Sequence, residues 1–223
     1  MSYQIRKGDT LYRIARKHHV SVEQILKNNP NVNPYYLEIG SYLHIPNALS
    51  ASSLKEQMRE VWEQHVFWTR LLIISITEHL EDEHDTTVRI LRNASDFAEL
   101  YQPFYGNGAA SVIQNLITEH LVIADKLVHS IIENNESETG LLNTEWYKNA
   151  DKIAEYLAKI NPYYDEEELR KMFYKHLDLT KQEVLNRIQK NYKDEIETFD
   201  LIEEAALMMA DYFTNGIVQE FKK

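Results

Sequence analysis

Apolar positions along the 223-residue chain follow two different rhythms. Over the first 47 residues they come in short bursts. Tyr3-Gln4-Ile5-Arg6 alternates as a strand does, and a turn follows at Gly8-Asp9. Leu11, Ile14 and Ala15 mark one face of a helix that Thr10 can cap and that runs to about His19. Ser21 can cap a second helix, Val22 to Asn28, with Ile25 and Leu26 facing inward. A loop from Asn28 to Pro34 leads to a second strand near Tyr42–Ile45, after Gly40. The pattern predicts a small β-α-α-β unit.

Beyond a small, uncharged stretch at 47–53, the rhythm turns helical and stays so. Ser53 and Glu56 form a capping-box pattern at the start of a helix from Leu54 to about His79, with the stripe Leu54, Met58, Val61, His65, Trp68, Leu72 and Ile76. A break at 81–85 precedes a short helix, Thr86–Arg92. The segment 96–108, with Pro103 and two glycines, reads as a short helix and loop. Long helices follow at Ala109–Glu133, Asn143–Ile160, Asp165 to Lys190 and Asp194–Phe221. The expected organisation is an α+β module over 1–47, a linker at 48–53, and an all-α antiparallel bundle of four or five helices over 54–223.

Charge divides the chain at the same place. The net −11 resolves into six basic and three acidic residues within 1–47, which leaves −14 for the remainder. An acidic bundle is a poor partner for nucleic acid, which is held by clustered Lys and Arg. No apolar run approaches the ~18–20 residues of a membrane span. The absence of cysteine removes disulfides, thiolate metal sites and a cysteine nucleophile. Neither a P-loop nor a nucleophile elbow nor a Ser-His-Asp arrangement is present, which favours a non-catalytic role.

The first module resembles a LysM domain. The likeness is carried by Ile5-Arg6-Lys7-Gly8-Asp9-Thr10-Leu11-Tyr12-Arg13-Ile14-Ala15, Val20-Ser21-Val22-Glu23-Gln24-Ile25-Leu26, Asn29-Pro30-Asn31-Val32 and Ile39-Gly40-Ser41-Tyr42-Leu43-His44-Ile45-Pro46. It implies binding of peptidoglycan or another N-acetylglucosamine glycan. The implied groove has Gly8, Asp9, Thr10, Leu11 and Tyr12 on one lip and Asn29, Pro30, Asn31 and Val32 on the other. A module of this kind would anchor the bundle at a glycan surface. No secretory signal precedes the first strand, so deposition on a spore envelope or cell wall, beside coat or envelope proteins, is the expected setting.

The bundle offers one further chemistry. His65, His120 and His176 interrupt the apolar seams of three helices, and Glu183 and Glu203 are read onto inner faces. Imidazole and carboxylate from facing helices suit Zn, Fe or Mn, so a metal-binding enzyme or metal store localised by the N-terminal module is the alternative function. Hydrogen-bonded core histidines would give the same pattern. Segments such as Glu119-His120-Leu121, Asn149-Ala150-Asp151 and His176-Leu177 resemble a bacterial family of helical-bundle proteins, some labelled acetylglutamate kinase. The scarcity of glycine and the lack of a parallel-sheet pattern contradict that label.

Overall fold

The computed structural model describes residues 2–18, 20, 22–46 and 51–221. In the N-terminal module β1 (Ser2–Gln4) pairs antiparallel with β2 (Tyr42–His44), with Tyr3 opposite Leu43. Two short helices, α1 (Leu11–His18) and α2 (Val22–Asn28), lie between them. Thr10 caps α1, its Oγ1 accepting from the Arg13 amide at 3.2 Å. Ile5, Leu11, Ile14, Ala15, Val20, Ile25, Leu43 and Ile45 form a core of their own, sharing no residue with that of the bundle.

Residues 47–50 of the expected linker lie outside the described residues. Helix α3 (Ala51–Thr77) already includes 51–53, so Ser53 is inside the helix rather than its cap. There it accepts from Gln57 Nε2 at 3.3 Å. Then come α4 (Glu83–Leu91), α5 (Asn93–Ile132), α6 (Glu136–Ile160), α7 (Glu166–Ile188) and α8 (Tyr192–Phe221). Helix α5 is broken at Gly106, whose φ of 78° and ψ of 174° belong to a region that only glycine adopts readily. The chain reverses there: Ser95 on the first leg and Gln114 on the second share a 3.0 Å hydrogen bond. The expected loop at 96–108 is therefore mostly helix, and the expected four or five helices become six legs of alternating direction.

Those legs form three hairpins: α3 with α4 and residues 93–105, residues 107–132 with α6, and α7 with α8. The turns at their tips are alike. His79, Asn134 and Lys190 each take a positive φ of 54°, 55° and 60°, and each lies fourteen residues after His65, His120 or His176. In each, the amide one residue further on donates to a carbonyl five residues back: Leu80 to Ser75, Asn135 to Ser130, Asn191 to Asn186. These are Schellman closures, which satisfy the last carbonyls of an ascending helix. Three parallel ascending legs thus carry the three seam histidines at one level.

Close packing at one end of the bundle gives a mutational test. A Cβ on Gly216 would fall 2.0 Å from the buried ring of Tyr164, whose hydroxyl donates to the Phe213 carbonyl at 2.7 Å. A Cβ on Gly140, in exposed helix, meets nothing within 4 Å. Gly216→Ala is expected to destabilise by about 3 kcal/mol. Gly140→Ala is expected to stabilise by about 0.5–1 kcal/mol. Urea unfolding of the two variants checks both signs.

Candidate functional site

In the N-terminal module the turn residues read as one lip of a groove divide into exposed and structural ones. Gly8 is exposed, with φ of 88°, and its carbonyl accepts from Arg13 Nη1 at 3.1 Å. Asp9 holds the turn: its Oδ2 accepts from the Arg6 amide at 2.7 Å and from the Tyr3 hydroxyl at 2.9 Å. The Arg6 amide, then the Tyr3 hydroxyl, keep that carboxyl below its ordinary pKa. Thr10 is exposed, and Tyr12 projects with 61% of its surface free. Leu11 is core, so only its backbone can meet a ligand.

On the second lip Pro30 and Asn31 are exposed and Val32 packs partly on the core. The Asn29 side chain is already committed. Its Nδ2 donates to the carbonyls of Ile25 and His44, each at 2.7 Å, and its Oδ1 accepts from the His44 amide at 2.7 Å, clamping the end of α2 to β2. The neighbouring loop adds Tyr35, 96% exposed, and Tyr36, its turn fixed by Asn33 Oδ1 accepting from the Tyr35 amide. Exposed tyrosine rings offer flat apolar faces with a polar tip, a surface suited to a sugar ring.

In the bundle, His65 on α3, His120 on α5 and His176 on α7 meet. One ring nitrogen from each lies within 4.8 Å of the other two, and all three rings are buried. Ring centroids are separated by 5.4 Å for His65–His176, 6.3 Å for His65–His120 and 6.4 Å for His120–His176. Trp62 and Phe97 stand edge-on to His65, and Trp146 lies against His120. Small apolar cavities lie to either side. One of about 30 Å3 includes Thr69, Leu121 and Thr180, beyond the rings along the ascending legs. The other, about 20 Å3, includes Trp62, Ile117 and Phe173, one turn before them.

Two asparagines orient two of the rings. His65 Nδ1 is 3.0 Å from Asn93 Oδ1, and His120 Nδ1 is 3.0 Å from Asn149 Oδ1. The amide orientation follows from the other end. Asn93 Nδ2 faces the Val61 carbonyl at 3.1 Å, and Asn149 Nδ2 faces the Leu116 carbonyl and Glu119 Oε2, both at 3.1 Å. Carbonyl and carboxylate oxygens only accept, so each amide turns its NH2 toward them and its oxygen toward the ring. Nδ1 of His65 and of His120 must then carry the proton, which leaves Nε2 with its lone pair. Outward from His120 the chain of contacts continues through Glu119 to Lys152, at 2.9 Å.

The third hairpin breaks the pattern. Asn149 follows His120 by twenty-nine residues and Asn93 follows His65 by twenty-eight; at the matching place after His176 stands Ala205. The register is marked by buried alanines, Ala94, Ala150 and Ala206 directly after it and Ala98, Ala154 and Ala210 four residues later. His176 Nδ1 is accordingly buried with no hydrogen-bond partner among the described residues. Sequence reasoning found the three histidines but missed the two asparagines. The recurring Asn-Ala-x-x-x-Ala, twenty-eight residues after His65 and twenty-nine after His120, was the signal that could have found them.

The two carboxylates expected beside the histidines are elsewhere. Glu183 is buried, but it lies two turns beyond His176 and accepts from Arg70 Nη1 at 2.7 Å, in a cluster where Arg70 also meets Glu195 at 2.8 Å. Burial raises the Glu183 pKa to about 7 against the opposing pull of Arg70. Glu203 is only half-buried. The inner face of α8 at that level is Ile202 and Ala206. The cluster is therefore three imidazoles without a carboxylate among the described residues.

Burial keeps the rings neutral. It brings His65 down to about 4 and His120 to about 3, where proximity of His65 adds to it. His176 is driven well below the ordinary value by burial first and then by His65 and His120.

Residues 3–46 match the LysM domain family, and the N-terminal module is a LysM domain. Among curated proteins the chain is similar to "Uncharacterized lipoprotein YgeR" of Escherichia coli (strain K12), 40% identical over 50 residues, which cover 22% of this chain and 20% of that protein. The chain thus spans about a fifth of that relative's length. No solved structure matches.

The neutral rings set a pH dependence for the chelator-treated protein. Unfolding lets each ring take up a proton below the ordinary histidine pKa of 6.5. Stability is thus complete above about pH 6.5 and falls as pH drops toward the folded values. His65 alone accounts for about 3 kcal/mol of the loss between about pH 7.5 and 4. Urea titrations across that range should show the decline, smaller by that amount in His65→Gln; a flat profile would contradict neutral buried rings.

Proposed function

We propose that the protein is a glycan-tethered helical bundle: the LysM domain grips peptidoglycan or a related N-acetylglucosamine polymer and holds the acidic bundle at a cell-wall or spore-envelope surface. The LysM match over residues 3–46 carries this reading. General carbohydrate binding follows from the domain itself. The finer assignment of the groove rests on the exposed Gly8, Thr10, Tyr12, Pro30 and Asn31, on backbone near Asp9, Leu11 and Asn29, and on Val32. Tyr35 and Tyr36 extend that surface. A single module of this type binds modestly, since multivalent avidity needs a second site. Coat or envelope proteins are the natural neighbours of the bundle in such a setting, and the Escherichia coli relative, named a lipoprotein, is in keeping with an envelope location.

A second reading, in which the bundle is a metal-binding module that LysM localises, is favoured by the convergence of His65, His120 and His176. Of the metals that imidazole and carboxylate would suit, the carboxylate-free cluster leaves least reason for Fe or Mn.

Sedimentation of the full chain with insoluble peptidoglycan tests the tether. Retention is expected, with release by soluble N-acetylglucosamine oligomers. Tyr12→Ala, which removes an exposed ring, is expected to weaken retention about tenfold with unchanged circular dichroism. Failure of the wild-type chain to sediment would refute the tether.

A further inference from the structure

Resting on the metal-binding reading, we propose that the bundle holds one Zn(II) on the imidazoles of His65, His120 and His176, that Asn93 and Asn149 are positioning residues for two of them, and that the fourth ligand is a water-sized molecule rather than a side chain. Three observations carry it. One nitrogen from each ring converges within 4.8 Å of the others, from three parallel helix legs. The asparagine contacts place the Nδ1 protons of His65 and His120 outward and so aim an Nε2 lone pair away from each amide. Ring orientation by a hydrogen bond to the second nitrogen is the arrangement that supports metal-bound histidine. The third observation is His176, whose Nδ1 is buried and has no hydrogen-bond partner among the described residues.

The donor set selects the metal. Mn favours carboxylate and water oxygens, and non-haem Fe(II) is typically held by two histidines and a carboxylate. Glu183, the buried carboxylate nearest in sequence to these rings, is held by Arg70. Three nitrogens at low coordination number suit Zn(II), which takes three histidines plus one exogenous ligand. The surroundings limit that ligand. Trp62, Phe97 and Trp146 pack on the rings, and the apolar cavities to either side, lined by none of the three histidines, hold only about 30 and 20 Å3, so nothing much larger than water fits beside the cluster. Thr69 and Thr180 donate to the carbonyls of His65 and His176, so the hydroxyl lone pairs remain as acceptors beside the rings.

The test uses the full chain without an affinity tag, stripped with chelator and reloaded with Zn(II) or Co(II). One ion per folded chain is expected. The Co(II) form should show the strong visible absorption of a four-coordinate ion. Asn93→Ala is expected to lower Zn(II) affinity about 10–100-fold, whereas Asn93→Asp, which keeps the acceptor on His65, should stay within a few-fold of wild type. Should Asn93→Ala fail to fold, His120→Gln takes its place: loss of stoichiometric zinc supports the site and retention overturns it. Folded wild-type protein that binds no metal would overturn the metal reading itself. Metal bound with the pale spectrum of six-coordinate Co(II), or with equal affinity in wild type and Asn93→Ala, would overturn only the coordination proposed.

Discussion

Six ring nitrogens in the middle of the bundle have to be accounted for, because a buried polar atom without a partner costs roughly 1–3 kcal/mol. Everything distinctive about the bundle follows from how that requirement is met. Two nitrogens are answered by Asn93 and Asn149, whose amides in turn are answered by helix carbonyls one turn before each histidine. The Nδ1 of His176 has no such answer among the described residues, and the three rings converge closely enough to share one cation. The same requirement fixes the neighbours: aromatic rings of Trp62, Phe97 and Trp146 pack around the cluster and shield it from water.

The threefold layout explains how the histidines come to one level. Each ascending leg ends in the same left-handed turn the same distance after its histidine, and each descending leg returns small alanines to the level of the rings. Repetition of one hairpin places three equivalent positions near a common axis without any long-range code. The departure at Ala205 then makes the three histidines unequal: two have locked tautomers and one does not. The N-terminal domain has a small core of its own, separate from that of the bundle.

Much of this was legible in the residues, and the losses have physical causes. The LysM motif, the turn at Gly8-Asp9 and the Thr10 cap could be read directly, because turn and cap chemistry is local. The seam positions of His65, His120 and His176 could be read from helical spacing alone. Spacing gives a face but not a depth or a partner. Glu183 is on the inner face, yet it is tied to Arg70 two turns away from the rings. Glu203 failed on phase: Ile202 and Ala206 occupy the inner face, and a one-residue error rotates a helix by about 100°. The reversal at Gly106 was hidden because Pro103 and two glycines between helical runs look like a loop. Asn93 and Asn149 look like surface residues until the histidines they serve are in place.

Within the N-terminal domain the division of labour is plain. Asp9, Leu11 and Asn29 hold the fold, and Gly8, Thr10, Tyr12, Pro30 and Asn31 face outward. The central claim about the bundle is most directly tested by X-ray absorption at the zinc edge on untagged, zinc-loaded full-length protein. The account expects about three imidazole nitrogens near 2.0 Å and one further light atom. A shell of six oxygens and nitrogens, or one lacking imidazole scattering, would contradict it.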